Sequence, residues 1–303
     1  MKSFIEKNPF WMIVVGVLGI SLSAIFVKFS PAPSVVTASC RLLWTVVLMT
    51  PVVLGKRTHR EELLHLTAKQ YLVCVLSGVF LAIHFALWFE SLNQTSVASS
   101  TAIVCTEVIW VAFGFAVFMK GKLSPKAVAC IAITLLGSFL IAFSDSASEG
   151  GHLYGDLLSL FAAIAVAVYT LLGRAARKSI GNSVYTYLVY VACTVALLVL
   201  TVIQGHTIEA FVPGAIGAGF LLALFSTILG HSIFSWCLKY FSPAFISASK
   251  LCEPIVAAVF AAILFREIPG WGQIVGGAVV IAGVFWYSVE ERRSLRRNDG
   301  NKT

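Results

Sequence analysis

Two glutamates stand inside long apolar stretches of this sequence, where carboxylates are rare. They are Glu107 and Glu253, and Lys250 comes three residues before the second one. An ionisable side chain inside a membrane costs several kcal/mol unless it faces a cavity or a partner. At a spacing of three residues, Lys250 and Glu253 share one face of a helix, which predicts that they pair with each other. Glu107 has no basic neighbour within one turn and is therefore the predicted proton carrier.

Other polar and aromatic residues repeat at helical spacing and are candidates for the wall of the same site. His84 and Trp88 are four residues apart, as are His231 and Ser235, so each pair lies on one helix face. The predicted substrate-binding residues are Glu107, Glu253, Lys250, Trp88, Trp110, Tyr169, His84, His231, Ser235 and Trp236. Three alternatives stay open: a structural ion pair, histidines that each bond a backbone carbonyl, and aromatic rings that are ordinary membrane-helix residues.

Several kinds of chemistry are not indicated. The seven cysteines all lie inside apolar runs, with no CxxC pair and no histidine at zinc spacing, so neither a metal site nor a disulfide framework is predicted. The sequence has no GxxxxGK[ST], HExxH or GxSxG motif. We therefore predict neither an ATP-driven pump nor a membrane-embedded enzyme, and we expect no cofactor.

The elements that position these residues must be membrane-spanning helices. Of 303 residues, 58% are apolar and only 12% are charged, whereas soluble domains are about 25% charged. A span needs about 20 mainly apolar residues. Ten such segments are predicted: 10–29, 34–54, 71–92, 97–119, 124–143, 153–173, 184–203, 216–238, 244–265 and 270–289. We number them spans one to ten.

Basic residues set the predicted orientation. All of the Lys and Arg residues except Lys28, Arg41, Lys250 and Arg266 lie in one alternating set of connections or in the two tails. By the positive-inside rule both termini face the cytoplasm, and the predicted location is the cytoplasmic (inner) membrane. The net charge of +8 thus reflects topology and predicts no nucleic-acid partner. The partners expected are the lipid bilayer and a small-molecule substrate, and the sequence leaves the oligomeric state open, a homodimer included. Lys28, Arg41 and Glu90 lie toward the outer ends of their spans, where we expect them to pair as a gate or scaffold.

The two halves of the chain resemble each other. The run Cys105-Thr106-Glu107-Val108-Ile109 aligns with Leu251-Cys252-Glu253-Pro254-Ile255, and the same offset places Gly137 on Gly283. Each half holds five spans, and an odd number makes the second half enter from the opposite face. The predicted fold is therefore all-α, with two inverted five-helix repeats (10–143 and 153–289) and a basic cytoplasmic tail (290–303). Such repeats are typical of secondary transporters, whose site lies near the midplane.

The run from Trp88 to Ser100, WFESLNQTSVASS, resembles a stretch of the EamA-type branch of the drug/metabolite transporter superfamily. The second half carries a similar pattern: Glu253-Pro254-Ile255, then Leu264-Phe265-Arg266-Glu267, and then Gly276-Gly277 and Gly283. The first half departs from it, with Lys120-Gly121-Lys122 where the family's repeat often has a glutamate. The resemblance implies ten helices, a central cavity lined by both halves, and export or exchange of a metabolite.

The function predicted from these observations is secondary transport by alternating access. The expected substrate is a small amino-acid-like or amphipathic metabolite, and the expected process is efflux, with proton coupling as one option. Two alternatives remain: uptake or exchange of an organic cation such as a quaternary amine, and a membrane-embedded sensor or channel.

Overall fold

The computed structural model describes residues 9–95, 97–146, 153–253, 255–256, 259–260 and 271–300. Within these ranges the regular structure is helical, without strands, and the predicted all-α class is confirmed. The helices are Pro9–Ser21 and Ser23–Lys28 (span one), Ser34–Leu54 (span two), Ala68–Gln94 (span three), Val97–Cys105 and Glu107–Phe118 (span four), Pro125–Ser146 (span five), Leu153–Ala176 (span six), Asn182–Ile203 (span seven), Pro213–Cys237 (span eight), Pro243–Lys250 (in span nine) and Trp271–Gly300 (span ten). A short helix, Arg57–Leu64, connects spans two and three.

Seven of these helices are long and apolar enough to cross a bilayer, among the residues that the structure describes. Ile103–Phe118 and Pro125–Leu140 are shorter apolar helices, which belong to spans four and five. Span nine is described only in part, since residues 254, 257–258 and 261–270 lie outside the described ranges. Large apolar side chains such as Phe113, Phe285 and Trp271 are exposed on the outer surface, as expected where lipid is the solvent.

Local sequence signals set where several helices begin. Thr67 and Gln70 form a capping box before span three: the Thr67 hydroxyl accepts from the Gln70 backbone N–H at 3.3 Å, and the Gln70 side chain accepts from the Thr67 N–H at 2.8 Å. At span nine, the Ser242 hydroxyl accepts from the Phe245 N–H at 3.2 Å, and Pro243 opens the helix. These residues satisfy backbone donors that a helix start leaves open, and proline needs no such partner.

Spans four and nine are each interrupted immediately before their glutamate. In span four, Thr106 N–H donates to the Ile103 carbonyl at 3.0 Å, three residues back instead of four. In span nine, Leu251 and Cys252 donate in the same way to Ala248 and Ser249, at 3.1 and 3.3 Å. Bonds over three residues tighten the last turn of a helix. Both glutamates therefore stand where a new helical segment begins.

The halves pack on each other in matched pairs. Span five lies along span ten, span two along span seven, and span four against span nine; span three packs on span six as span eight packs on span one. Exchanging each span with its counterpart five places away reproduces this pattern. Gly137 lies against span ten and Gly283 against span five, where each lets the other backbone approach. The predicted two-repeat architecture is confirmed.

Candidate functional site

A cavity of about 500 Å³, its open mouth included, lies between the two halves. Its wall is formed by Ile20, Ser23, His84, Trp88, Val104, Cys105, Glu107, Val166, His231, Ser247, Lys250 and Glu253. Spans one, three, four, six, eight and nine all contribute. The structure thus brings together six of the ten residues predicted from the sequence, and among them is every predicted charged residue.

An ion pair joins the two halves across the cavity wall. The Lys250 ammonium donates to Glu107 Oε1 at 2.8 Å, and the two side chains are 12% and 5% exposed. The predicted pairing of Lys250 with Glu253 is therefore wrong. Glu107 has no basic neighbour within one turn of its own helix, but Lys250 of span nine is its partner. Spacing along one helix placed Lys250 on the same face as Glu253, but its long side chain reaches across to span four. Only the packing of the two spans could reveal this.

Glu253 stands in a different electrostatic setting. It lines the cavity, yet it forms no ion pair with any residue in the described part of the chain. The charges of Lys250, Glu107 and Arg41 act on it from spans nine, four and two. The interruption of span nine has a visible signal, because Pro254 follows directly and proline cannot donate a helix hydrogen bond. The interruption at Thr106 has no proline and could not be predicted.

His84 is held by a backbone carbonyl, as one alternative proposed. Its Nδ1 lies 3.0 Å from the Ala162 carbonyl oxygen on span six, and since a carbonyl only accepts, Nδ1 carries the hydrogen. The His84 ring stacks on Trp88 with centroids 5.9 Å apart and planes 13° from parallel. Both rings line the cavity, so the same histidine is structural on one side and forms part of the wall on the other.

His231 lines the cavity near His84, with ring centroids 6.4 Å apart. It closes a π-helical segment, Leu222–His231, and π-helical turns often occur at functional sites. Its ring lies against Phe85 at 5.3 Å and Tyr169 at 6.1 Å. Tyr169 thus packs behind His231 rather than on the cavity wall.

The other predicted site residues lie away from the cavity. Trp110 is 37% exposed on the outer surface. Ser235 is buried within span eight, and Trp236 packs on Tyr240 with ring centroids 4.5 Å apart. Together with Tyr169, these residues satisfied the helical spacing, but spacing alone does not tell which face of a helix meets the cavity.

The expected outer pairing of Lys28, Arg41 and Glu90 is not found. Lys28 Nζ donates to the Leu92 carbonyl at 2.7 Å, and Glu90 accepts from the Gln94 side chain at 2.9 Å. Arg41 points inward instead and donates to Thr227 on span eight. These side chains bond nearby backbone, amide and hydroxyl groups instead of each other.

Six wall residues were missed from the sequence: Ile20, Ser23, Val104, Cys105, Val166 and Ser247. Ser247 lies three residues before Lys250 and could have been found by its helical spacing. Ser23 and the apolar residues carry no distinguishing signal in a membrane helix.

Comparison with known proteins identifies the architecture. The EamA-like transporter family matches this chain twice, over residues 8–143 and over residues 153–289. An uncharacterized transporter of Archaeoglobus fulgidus is 23% identical to this chain over 77% of its length and 78% of the archaeal protein. Solute carrier family 35 member G1 of Homo sapiens is 23% identical over 86% of this chain and 73% of the human protein.

A solved crystal structure shares the fold. It superposes with a TM-score of 0.78 at 14% sequence identity, covering 95% of this chain and 99% of the other. At that identity the likeness concerns the fold alone.

Proposed function

Because this chain belongs to the EamA-like transporter family, we propose that it is a secondary transporter that moves a small amino-acid-like or amphipathic metabolite by alternating access. We place it in the cytoplasmic membrane with both termini inside, which the distribution of Lys and Arg supports. Efflux is the proposed direction.

The observation that carries this proposal is the cavity between the halves, with charged residues from both. Glu107 comes from the first repeat, and Lys250 and Glu253 come from the second. A site at the interface of two repeats can be exposed to either side in turn as the repeats rock against each other. The Lys250–Glu107 contact crosses this interface, so rocking must strain or rearrange it.

Proton coupling is part of the proposal, and the cavity offers two carboxyl groups for it. Glu107 was the predicted carrier, but it is held in an ion pair with Lys250, whereas Glu253 has no ion-pair partner among the described residues. We therefore expect Glu253 to exchange the proton. The groups that act on it are Lys250 on its own span, Glu107 and Cys105 on span four, and Arg41 on span two.

Counterflow in liposomes tests the function. Purified protein is reconstituted into vesicles loaded in turn with each unlabelled amino acid, and uptake of the same labelled solute is followed against protein-free vesicles. A transporter gives a transient, saturable overshoot, whereas a channel or a sensor gives none. Trp110→Phe, which alters a ring outside the cavity, serves as the matched control and retains the overshoot.

The coupling proposal needs a second measurement. A proton gradient is imposed on the same vesicles, and solute movement is compared for Glu253→Gln and Glu107→Gln. We expect Glu253→Gln to abolish the dependence on the proton gradient while counterflow persists at solute concentrations high enough to saturate the variant. If only Glu107→Gln has this effect, the carrier is Glu107, as the sequence first indicated.

The alternative substrate is an organic cation, because two carboxyl groups and the Trp88 ring line the cavity. Carboxylates and aromatic faces both attract quaternary ammonium groups. Choline and tetraethylammonium therefore join the counterflow panel. An overshoot with these solutes and none with amino acids would favour this second function.

A further inference from the structure

Arg41 is the most deeply buried charged side chain described, and its guanidinium is only partly bonded. It is 0% exposed and lies eight residues into span two. Its Nε donates to Thr227 Oγ1 at 2.7 Å and its Nη1 to Ser23 Oγ at 3.3 Å. The Phe85 ring lies 4.1 Å from the guanidinium carbon. The remaining nitrogen, Nη2, is buried and has no hydrogen-bond partner among the described residues.

Among the described residues, this arginine also has no anion beside it. The only ion pairs in the described part of the chain are Arg57–Glu61 and Lys250–Glu107. A charge buried in a membrane protein is normally paired or faces a water-filled path, and hydroxyl groups and an aromatic ring replace only part of a counterion. The Arg41 site is therefore short of one negatively charged group.

Arg41 lies directly behind the cavity wall. Ser23, which accepts its hydrogen bond, lines the cavity, and the Phe85 ring beneath it contacts His231, another wall residue. Two further polar atoms of wall residues are without a partner in the described structure: the Trp88 indole nitrogen and the Ser247 hydroxyl. An indole N–H can only donate. Unmatched donors therefore lie both in the wall and just behind it.

Glu253 is the complementary group. It lines the same cavity without an ion pair among the described residues, and Ser23, which accepts a hydrogen bond from Arg41, lines that cavity too. Lys250 and Glu107 neutralise each other by direct contact. Of the four charges in the cavity wall and directly behind it, one positive and one negative thus remain apart from each other.

We propose that the transported solute is a zwitterion whose ammonium group binds Glu253 and whose carboxylate binds Arg41 through the free Nη2, with Ser23 rearranging to admit it. This inference rests on the proposed function and narrows its substrate class. A zwitterion matches both separated charges and adds no net charge to the membrane interior. A simple amine matches only Glu253, and a simple carboxylate or chloride matches only Arg41.

Two triplets of matched probes test the charge requirement. They are leucine, 3-methylbutylamine and 4-methylpentanoate, and phenylalanine, phenethylamine and 3-phenylpropanoate. Inhibition of counterflow is measured with the amino acid that gives the largest overshoot as the labelled solute. We expect at least one amino acid to inhibit with roughly tenfold or greater affinity over both its amine and its acid, since each analogue leaves one buried charge unmatched. An amine or an acid that inhibits as well as its amino acid, or inhibition by sodium chloride alone, would overturn the proposal.

Variants assign each end of the solute. In Arg41→Gln the amino acid should bind no better than its amine, and the affinity of the amine should be unchanged. In Glu253→Gln the amino acid should bind no better than its acid, so the proposal stays testable if Arg41→Gln fails to fold. Arg57→Gln, at an exposed arginine, is the control and leaves all affinities unchanged.

Failure of this inference is distinct from failure of the proposed function. If Arg41→Gln lowered the affinity for the amino acid, its amine and its acid equally, Arg41 would be a structural residue and the inference would be overturned. Counterflow of a solute that lacks a carboxylate would also overturn it but leave a transporter. Absence of counterflow for every solute would overturn the function itself.

Discussion

Glu107 and Glu253 occupy the same place in the two repeats, yet their surroundings differ. Each follows an interruption of its span and each lines the cavity. Glu107 is held by Lys250, whereas Glu253 has no ion-pair partner in the described part of the chain. The offset that aligns the glutamates places Lys250 on Val104. The repeat has therefore kept the backbone geometry around the carboxyl groups while the neighbouring side chain has diverged.

This divergence gives the two glutamates different contacts. One lysine can form a direct contact with only one of the two carboxylates, and in the structure it contacts the one on the opposite half. The contact joins the halves and leaves the other carboxylate open to the cavity. Symmetric folding with asymmetric charge thus gives one direct ion pair and, among the described residues, one unpaired acidic group from the two aligned segments.

The largest expected effect comes from breaking the fixed pair. Lys250→Met leaves Glu107 charged and unpaired in a buried site, and we expect the free energy of unfolding to fall by about 3–5 kcal/mol. The double variant Glu107→Gln with Lys250→Met should recover most of this loss, because neither position of the pair then carries a charge without its partner. Thermal unfolding in detergent measures both.

Glu253→Gln is the control for this comparison. It removes a carboxylate at the equivalent position but breaks no ion pair in the described structure, so its stability should stay close to that of the parent protein. Equal losses in Lys250→Met and Glu253→Gln would contradict the distinction between the two glutamates.

A second prediction concerns the aligned glycines, Gly137 and Gly283, which the two repeats share. A methyl group at Gly137 would lie 2.8 Å from the Gly276 carbonyl oxygen, and one at Gly283 would lie 3.2 Å from the Thr134 nitrogen. Gly137→Ala and Gly283→Ala should each lower the free energy of unfolding by about 1–3 kcal/mol, because both overpack the contact between spans five and ten. Unfolding by urea or by heat in detergent measures this loss of stability.

Gly217→Ala is the matched control, since nothing lies within 4 Å of the added methyl group. It should not destabilise the protein. If only one of the two alanine variants lowered the free energy of unfolding, spans five and ten would not be equivalent in this contact. The repeat symmetry would then hold for the order of the helices but not for their packing.

Much of this fold could be predicted from the sequence. Apolar runs of spanning length and the distribution of Lys and Arg define the helices, and the aligned Glu107 and Glu253 reveal the repeat. These signals are local or depend only on order along the chain. The capping residues Thr67 and Ser242 are local signals of the same kind, since each is a hydroxyl residue directly before its helix.

The side-chain contacts within the site could not be predicted in the same way. Helical spacing showed that Lys250 and Glu253 share a face, but the partner of Lys250 lies 143 residues away along the chain. The inward turn of Arg41 depends on Thr227, which faces it only because span eight packs on span two. Membrane helices are apolar on nearly all sides, so periodicity does not tell which face meets a cavity and which meets lipid.

The two histidines give a third, smaller contrast between the halves. The His84 side chain bonds the Ala162 carbonyl at 3.0 Å, whereas the His231 side chain has ring contacts and no hydrogen bond among the described residues. His84→Phe should therefore cost about 0.5–1.5 kcal/mol of stability, the net value of a typical hydrogen bond. His231→Phe should cost less. Thermal unfolding of the two variants side by side measures the difference, and a larger loss for His231→Phe would contradict it.

The smallest expected effect comes from an exposed ion pair, whose atoms are nearly as close as those of Lys250 and Glu107. Arg57 Nε lies 2.7 Å from Glu61 Oε1, one turn apart, with side chains 84% and 53% exposed. Water solvates both groups before and after the contact breaks, so Arg57→Ala should change the free energy of unfolding by no more than about 0.5 kcal/mol. Thermal unfolding at low and high salt measures this, and a loss comparable to that of Lys250→Met would contradict it. Because the two distances are nearly equal, separation does not explain a difference between the two variants. Burial does, and burial is also what separates Glu107 from a surface carboxylate.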